Sequence, residues 1–226
     1  MATTFTEPPN PGATLGLATG LSKTLVGNAA NDTFTTGSGN DAFDGALGTD
    51  TVMFTGLRTD HSIVKTSTGW SVSSPTDGID TLLNVERLVF SDATVAFDTS
   101  GNAGQAYRIY QAAFNRAPDS VGLGYWIKAL DAGGTLKSIA QGFVDSTEFK
   151  TLYGASPSNS QIVTKLYDNV LHRTPDQGGF DFWLGVLERQ DATVAEVLAQ
   201  FGESAENVAQ LTGVMANGIV FTPWGG

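Results

Sequence analysis

Large apolar residues recur every nine positions near the start of the chain, at Phe34, Phe43 and Val52. Glycine, asparagine, threonine and aspartate fill most of the positions between them. Because alternate residues of a strand face opposite sides, this spacing predicts very short strands that each point one large apolar side chain inward. The intervening glycines predict sharp turns, so the segment is expected to stack as half-turns of a flattened coil.

Ordinary strand patterns follow this segment. Residues 61–66 and 70–73 flank a turn at 67–69, which predicts a β-hairpin. Apolar positions within 80–90 and 94–97 predict further strands. We interpret these as closing strands that cap the open end of the coil.

A helical period replaces the strand pattern near residue 100. Tyr107, Tyr110 and Phe114 recur at spacings of three and four, which places them on one face of a helix. Residues 110–126 are then repeated at 167–183, with an offset of 57 residues. Two copies predict two similar helical units that pack on each other, because neither alone buries its apolar face.

The nonapeptides also carry a periodic acid. Asp32, Asp41 and Asp50 each precede the apolar residue of their repeat by two positions. The repeats resemble G-G-x-G-x-D-x-U-x, the calcium-binding nonapeptide of the RTX family, and residues 80–97 resemble the segment that often follows such repeats. The resemblance implies calcium as the cofactor and an α+β protein. Its expected parts are an N-terminal calcium-binding parallel β-roll with capping strands and a C-terminal all-helical two-repeat domain.

In such a coil the first and third turns lie on the same side, so Asp32 and Asp50 are expected to share one calcium ion. The turn carbonyls expected to complete the site are those of Gly27, Ala29, Ala46 and Gly48. Calcium takes roughly six to eight oxygen ligands, and this set mixes carboxylate with carbonyl oxygens. The alternative is a series of hairpin turns rich in glycine, asparagine and aspartate that bind no metal.

Asp41 faces the other side of the coil. We include it among the expected metal ligands of a second, partial site, although Lys23 and Thr59 occupy the positions where its partners would stand. Further along the chain, turn and capping roles are favoured over ion binding for three other acids, Asp77, Asp80 and Asp92.

The duplicated half resembles, over residues 103–210, an uncharacterised two-repeat helical domain that is common in secreted bacterial RTX-like proteins. Its repeated Arg-x-Pro-Asp segment makes Asp119 and Asp176 candidate ligands, yet neither loop has the acidic ladder of an EF-hand. We favour a structural role, in which the proline ends one helix and the aspartate caps the next. Trp126 and Trp183 are expected to be buried anchors of the core.

Composition and charge exclude some classes of function. The chain has 226 residues, an apolar content of 41% and a net charge of −11. Residues 1–100 carry 11 acidic against 4 basic side chains, whereas residues 101–226 carry 12 against 8, so the acid excess lies with the nonapeptides. Nucleic-acid binding is not expected, because it needs a basic face. The chain contains no cysteine, which excludes disulfides and thiolate chemistry.

The expected cellular address is extracellular. The first residues lack the basic and apolar regions of a cleavable signal peptide, and no stretch approaches the roughly 18 apolar residues of a membrane span. The RTX resemblance implies type I export, read from an uncleaved C-terminal segment. The expected divisions of the chain are a flexible or extended lead-in at 1–22, the β-roll and capping strands at 23–100, the duplicated helical domain at 101–217, and a tail with the possible export signal at 218–226.

No enzyme is expected. The chain has no G-x-S-x-G, H-E-x-x-H or P-loop motif, and His61 and His172 stand alone in their surroundings. One expected function is a secreted structural protein whose copies assemble in a surface layer, fibre or biofilm matrix. The other is adhesion to surface polysaccharide, with Trp70 and Trp224 stacking on sugar rings. Assembly is favoured, because a strand stack leaves unpaired edges that can template association.

Overall fold

The computed structural model describes residues 3–6, 14–15, 20 and 22–225. The chain divides into two compact units, Met1–Asp98 with Asn217–Thr222, and Thr99–Ala216 with Pro223–Gly226. Among the described residues, the first unit holds the strands and the second the helices, so the protein is α+β. Of the lead-in at 1–22, two strands are described, and the rest of that expectation lies outside the described residues.

Twelve strands are described in the first unit. Their bounds are β1 Thr3–Thr6, β2 Thr14–Leu15, β3 Lys23–Val26, β4 Thr33–Thr35, β5 Ala42–Asp44, β6 Thr51–Met53, β7 Ser62–Lys65, β8 Trp70–Ser74, β9 Gly78–Leu83, β10 Arg87–Val89, β11 Thr94–Ala96 and β12 Ile219–Phe221. A 3₁₀ turn at Arg58–Asp60 precedes β7.

These strands form two six-stranded sheets, in the orders β1-β3-β5-β9-β8-β7 and β12-β11-β10-β6-β4-β2. Successive nonapeptide strands alternate between the sheets and pair in parallel at a separation of two repeats, as Leu25 with Phe43 and Phe34 with Val52. The predicted hairpin is β7–β8. The nonapeptide strands are parallel as predicted, whereas the antiparallel pairs at β7–β8–β9 and β10–β11–β12 make both sheets mixed rather than wholly parallel.

The periodic apolar residues form the core of this unit. Phe34, Phe43 and Val52 are all buried. The rings of Phe34 and Phe43, which come from different sheets, lie 5.5 Å apart. Leu82 and Leu88 from the later strands join the same cluster. The nine-residue period therefore predicts the inward face correctly.

The C-terminal segment does not form a separate tail. Strand β12 pairs antiparallel with β11, and Ile219 lies opposite Ala96. Ile219 and Phe221 are buried while Val220 between them is exposed, the alternation of a strand with one core face. Gly218 begins this strand at φ +92, and a Cβ atom there would lie only 2.6 Å from Val95 Cγ1. The sequence missed this pairing because it joins residues more than a hundred positions apart.

Eight helices are described in the second unit. They are α1 Asn102–Phe114, α2 Ser120–Asp131, α3 Leu136–Asp145, α4 Thr147–Tyr153, α5 Asn159–Leu171, α6 Gln177–Glu188, α7 Val194–Gly202 and α8 Ala205–Met215. The first four correspond in order to the last four, and α3 packs against α7 where the copies meet. This is the arrangement that the duplication predicts.

The repeated Arg-x-Pro-Asp segments are helix caps. The Asp119 carboxylate accepts a hydrogen bond from the Gly122 N–H at 2.7 Å, and Asp176 accepts one from Gly179 at 2.9 Å. The preceding helices end at Asn115 and His172, both in the left-handed region at φ 51. His172 thus occupies a position that needs a particular backbone conformation rather than an imidazole.

Trp126 and Trp183 are half-buried, which corrects their prediction as buried anchors. The buried aromatic residues beneath them are Phe143 and Phe201, at equivalent positions of the two copies. The ring centroids of Trp126 and Phe143 lie 4.8 Å apart, and those of Trp183 and Phe201 lie 5.2 Å apart. Helical periodicity identifies the inward face of a helix but not how deeply each side chain is buried, so it does not distinguish large rings at the rim from those at the centre.

Truncation of Phe143 to alanine is expected to lower the free energy of unfolding of the helical unit by about 3–5 kcal/mol, the range for a buried large aromatic residue. Denaturant unfolding followed by the helical circular dichroism signal measures this change. Phe182→Ala is the matched control, because Phe182 is exposed on α6, and its cost should stay below about 1 kcal/mol. Equal costs for the two variants would contradict the burial assigned to Phe143.

Candidate metal centre

The turns between the sheets fall into two rows. The first turn row comprises residues 27–32, 45–50 and 84–86, which carry the chain from the first sheet to the second. The second turn row comprises residues 36–41, where the chain passes from the second sheet to the first, and residues 78–80 at the start of β9, which lie beside them. The stacking of turns that are two repeats apart places their aspartates one above another.

In the first turn row the predicted pair Asp32 and Asp50 is brought together. The Asp32 N–H donates to Asp50 Oδ1 at 2.7 Å, and the Asp50 N–H donates to Glu86 Oε2 at 2.8 Å. The three acids therefore form a ladder, in which the carboxylates of Asp50 and Glu86 each bind the backbone N–H of the acid in the turn before. Sequence reasoning missed Glu86, which follows Asp50 by 36 residues, a multiple of the 18-residue spacing within the row.

Asp50 has a carboxylate oxygen that lacks a donor. The residue is 0% exposed, and among the described residues Oδ2 has no hydrogen-bond partner. Burial raises the pKa of Asp50 to about 7, against the lowering effect of the Asp32 N–H, and the charges of Glu86 and Asp32 raise it further. A buried carboxylate without a counter-charge is costly, and a cation beside Oδ2 would remove this cost.

Asp32 is arranged differently, although it is also buried. Its Oδ2 accepts from the Asn28 N–H at 2.6 Å, and its Oδ1 accepts from the Asn28 side-chain amide at 3.2 Å. Carboxylate oxygens have several lone pairs, so these bonds leave capacity for a metal. Asp32 is nevertheless the better satisfied of the two acids.

Backbone oxygens converge on the same carboxylates. A Cβ atom at Gly27 would collide with Asp32 Oδ2 and lie 2.8 Å from the Gly45 carbonyl oxygen. A Cβ atom at Gly45 would collide with both the Asn84 carbonyl oxygen and Asp50 Oδ2. Glycine is therefore required at both positions so that oxygens can approach. The carbonyls of Gly45 and Asn84 are not among those predicted from the sequence.

The other predicted ligands lie in the same two turns. Gly48 has φ +135, and a Cβ atom there would lie 2.7 Å from the Ala30 carbonyl oxygen. Ala46 has φ 67, a left-handed conformation that is rare for alanine. Ala29 lies in the turn that contains Asp32. The participation of the Gly27, Ala29, Ala46 and Gly48 carbonyls stays a prediction.

The donor set fits calcium. It consists of carboxylate and carbonyl oxygens, which are the hard ligands that calcium prefers. Within the described part of the chain, no group of three or more His, Cys, Asp or Glu side chains is arranged to hold a metal. A calcium ion between Asp32 and Asp50 would therefore take most of its ligands from the backbone.

Asp41 lies in the second turn row, apart from this pair, and its neighbour there is Asp80. The Asp41 N–H donates to Asp80 Oδ1 at 2.8 Å, and Asp41 Oδ1 accepts from the Lys23 N–H at 2.9 Å. Thr59, which the strict period would place beside Asp41, belongs to the 3₁₀ turn instead. The hairpin that interrupts the period carries the chain from there to Asp80.

The two histidines have structural roles. His61 is buried, and its Nε2 lies 2.8 Å from an oxygen of Asp77, while its Nδ1 lies 2.9 Å from the Leu57 carbonyl oxygen. Its ring packs against Phe54 and Phe90, with centroids 5.4 and 4.8 Å away. His172 serves as the helix end described above. Among the described residues, the hydrogen bonds of the His61 ring go to a carboxylate and a backbone carbonyl rather than to a hydroxyl group.

Comparisons with known proteins find a different family model in each half of the chain. The family model described as "Domain of unknown function (DUF4214)" matches residues 98–153 and 140–211, which together span 114 of the 226 residues. The model described as "RTX calcium-binding nonapeptide repeat (4 copies)" matches residues 24–52. No curated protein and no solved structure gave a match. No helix in the described part of the chain is long and apolar enough to cross a membrane. The chain therefore belongs to the DUF4214 family and carries RTX nonapeptide repeats, which bind calcium.

Proposed function

We propose that this chain is a secreted structural protein whose copies self-assemble, with calcium bound, in a surface layer, fibre or biofilm matrix. The observation that carries the calcium role is the buried Asp50 carboxylate, which lies against the Asp32 turn with one oxygen unpaired. Secretion is supported by the RTX repeats, whose carriers are typically exported proteins. No catalytic role is proposed.

In this proposal the strand-rich unit is a calcium-loaded β-roll. Asp32 and Asp50 hold the ion together with turn carbonyls from residues 27–32 and 45–50. When bound, calcium supplies the positive charge that the acid-rich repeats lack and joins two successive turns of the row. Without it, the burial of Asp50 opposes the folding of the turns, because an ionised carboxylate loses its hydration there.

The proposed contacts between copies are the outer strands of the two sheets. Strand β12 lies at one end of its sheet and β7 lies at one end of the other. Outer strands carry backbone groups that can pair with another chain. Val220 on β12 is 52% exposed, and Val64 on β7 is also exposed. Because β12 belongs to the fold, deletion of residues 218–226 would damage the sheet as well as remove a contact.

Calcium at millimolar concentration is expected to convert the wild-type protein from monomers to larger particles, as measured by light scattering. Val220→Lys should reduce this association at least several-fold, because a lysine on an outer strand disfavours pairing between chains. The control is Val214→Lys, since Val214 is similarly exposed on a helix. Wild-type protein that stays monomeric at high concentration with calcium bound would contradict self-assembly.

That last outcome would favour a second function, adhesion to surface polysaccharide. Tyr125 and Trp224 are 43% and 45% exposed and form an edge-to-face pair, with centroids 5.1 Å apart. Exposed aromatic rings of this kind can stack on sugar faces. Trp70 is less suited, because Phe97 stacks on it at 3.9 Å and the ammonium of Lys65 lies 5.7 Å from the ring centroid.

A further inference from the structure

A cavity lies beside helix α5 in the second copy of the helical repeat. Its volume is about 400 Å³, which is within the range of cavities that bind small molecules. Its lining includes Ser160, Thr164, Lys165 and Asp168 from α5, and Arg173 and Thr174 from the loop that follows the helix. These side chains are polar, and they include two cations and one acid.

The equivalent face of the first copy shows how a cation at this position is neutralised. With the offset of 57 residues, Lys165 corresponds to Arg108 of α1. Arg108 is buried, and its guanidinium donates two hydrogen bonds to the Glu203 carboxylate, at 2.7 and 2.8 Å. A third nitrogen donates to the Thr99 carbonyl oxygen at 2.6 Å. In the first copy, a carboxylate from the second copy therefore binds the cation.

Lys165 has no such partner among the described residues. Its ammonium forms no ion pair with an acid there, and Asp168, one turn further along the same helix, lies beyond ion-pair distance. Its Nζ lies 5.9 Å from the centroid of the Tyr153 ring, a cation–π contact that leaves the ammonium able to bind an anion. In a chain with 23 acidic and 12 basic side chains, a cation without an acid beside it is unusual.

Two further features of α5 favour negative charge in this cavity. Ser160 lies in the first turn of the helix, where free N–H groups and the helix dipole attract anions. Arg173 lies just beyond the last turn, where it donates to Glu206 at 3.1 and 3.2 Å and stacks on the Tyr167 ring at 5.0 Å. Because Glu206 neutralises Arg173, the cation that can receive a carboxylate is Lys165, which lies between them along the chain.

The side chains of α5 indicate a small polar occupant rather than another helix. In the first copy α7 packs closely on α1, and a Cβ atom at Gly202 would lie 3.7 Å from the side chain of Ala112. Ala112 corresponds to Asn169 on α5, and Gly104 corresponds to Gln161. These larger polar side chains leave no room for a helix to approach α5 as α7 approaches α1.

The other groups of the cavity suit the hydroxyl groups of a sugar. The hydroxyls of Ser160 and Thr174 can each donate and accept a hydrogen bond. The side-chain oxygen of Gln161 accepts from the Ser158 N–H at 2.8 Å, so its amide N–H groups are directed to other acceptors. Pro175 is the one apolar residue in the described lining, so a peptide side chain would find little apolar surface to bury.

We propose that this cavity binds a uronic acid residue of an acidic polysaccharide. Lys165 binds the carboxylate of the sugar, as Arg108 binds the Glu203 carboxylate, and the hydroxyl and amide groups bind the ring hydroxyls. This activity goes beyond the self-assembly proposed above and does not depend on it. The site is also separate from the aromatic pair of Tyr125 and Trp224, and it requires no calcium.

Isothermal titration calorimetry of the full chain with short oligomers of galacturonate, glucuronate and mannuronate tests this proposal. At least one should bind, and its methyl ester, which lacks the charge, should bind at least about ten-fold more weakly, the effect of losing one charge-assisted hydrogen bond. Lys165→Met should cause a similar loss. Asp168→Asn should strengthen binding several-fold, because it removes a negative charge from the lining. The matched control is Lys150→Met, which removes an exposed lysine from α4 and should bind as wild type does.

The outcomes separate this site from self-assembly and from other ligands. Light scattering with calcium should be the same for Lys165→Met and wild type, so loss of sugar binding and loss of assembly are distinct results. Wild-type protein that binds none of the three oligomers, or that binds the methyl ester as tightly as the acid, would overturn the proposal. Equal losses in Lys165→Met and Lys150→Met would overturn the placement of the carboxylate at Lys165. A triaspartate peptide that binds more tightly than every oligomer would assign the cavity to acidic peptides instead.

Discussion

Removal of calcium is expected to lower the melting temperature of the strand-rich unit by roughly 10–20 °C and to leave the helical unit folded. An ion present at about a hundred times its dissociation constant stabilises the folded state by about 2.7 kcal/mol. Small domains lose roughly 4–8 °C for each kcal/mol. The expected ligands all lie in the first unit, so the helices should not respond. Circular dichroism during melting, with calcium and with EGTA, measures both signals.

Variants at the first turn row make this test specific. Asp50→Asn should lose a large part of the difference in melting temperature between calcium and EGTA, because it removes the charge of the buried carboxylate that has an unpaired oxygen. Asp168→Asn should respond as wild type does. The calcium site would be refuted by a melting temperature that EGTA leaves unchanged in both wild type and Asp32→Ala.

The strand-rich unit shows which structural features a local pattern can predict. Phe34, Phe43 and Val52 are buried because a constant period places them at equivalent points of successive turns. The same period predicts that Asp32 and Asp50 lie together, since it requires no knowledge of distant segments. Both predictions follow from the spacing of nearby residues alone, and both agree with the structure.

Features that depend on distant segments were not predicted. The partner of Asp41 is Asp80, which follows an inserted hairpin and falls out of phase with the repeats. Strand β12 joins its sheet from the far end of the chain, after all the helices. Its alternation of Ile219, Val220 and Phe221 is too short to distinguish a strand from an apolar tail. In each case the decisive contact is tertiary.

The sequence predicts some features of the helical unit and misses others. The duplication predicts the equivalence of the two sets of helices, and the spacing of proline and aspartate predicts the caps at Asp119 and Asp176. The depth of the tryptophans does not follow from the sequence, because the size of a ring does not determine how far it is buried. Phe143 and Phe201 lie beneath the tryptophans and are the more buried. The period of a helix determines which way each side chain points, while its burial depends on the helices that pack against that face.

The calcium-free strand-rich unit is expected to be more stable at pH 5 than at pH 8. The pKa of Asp50 and that of Asp80 are each raised from 3.8 to about 7 in the folded state, chiefly by burial. Between about pH 4 and 7 the folded protein therefore holds protons that the unfolded chain has released, so the free energy of unfolding falls as pH rises. Between pH 5 and the folded-state pKa of about 7 there are two pKa units, so at about 1.4 kcal/mol per unit each carboxyl accounts for roughly 3 kcal/mol of the difference between pH 5 and pH 8.

Urea unfolding in EGTA at several pH values measures this dependence, and calcium should reverse it. The ion requires deprotonated carboxylates, so its stabilising effect grows as pH rises over the same range. The double variant Asp50→Asn with Asp80→Asn should show a much flatter profile without calcium, because neither amide titrates. If wild type in EGTA is as stable at pH 8 as at pH 5, then Asp50 and Asp80 are not buried as charged groups. The cation would then have no unpaired carboxylate to neutralise at these two positions.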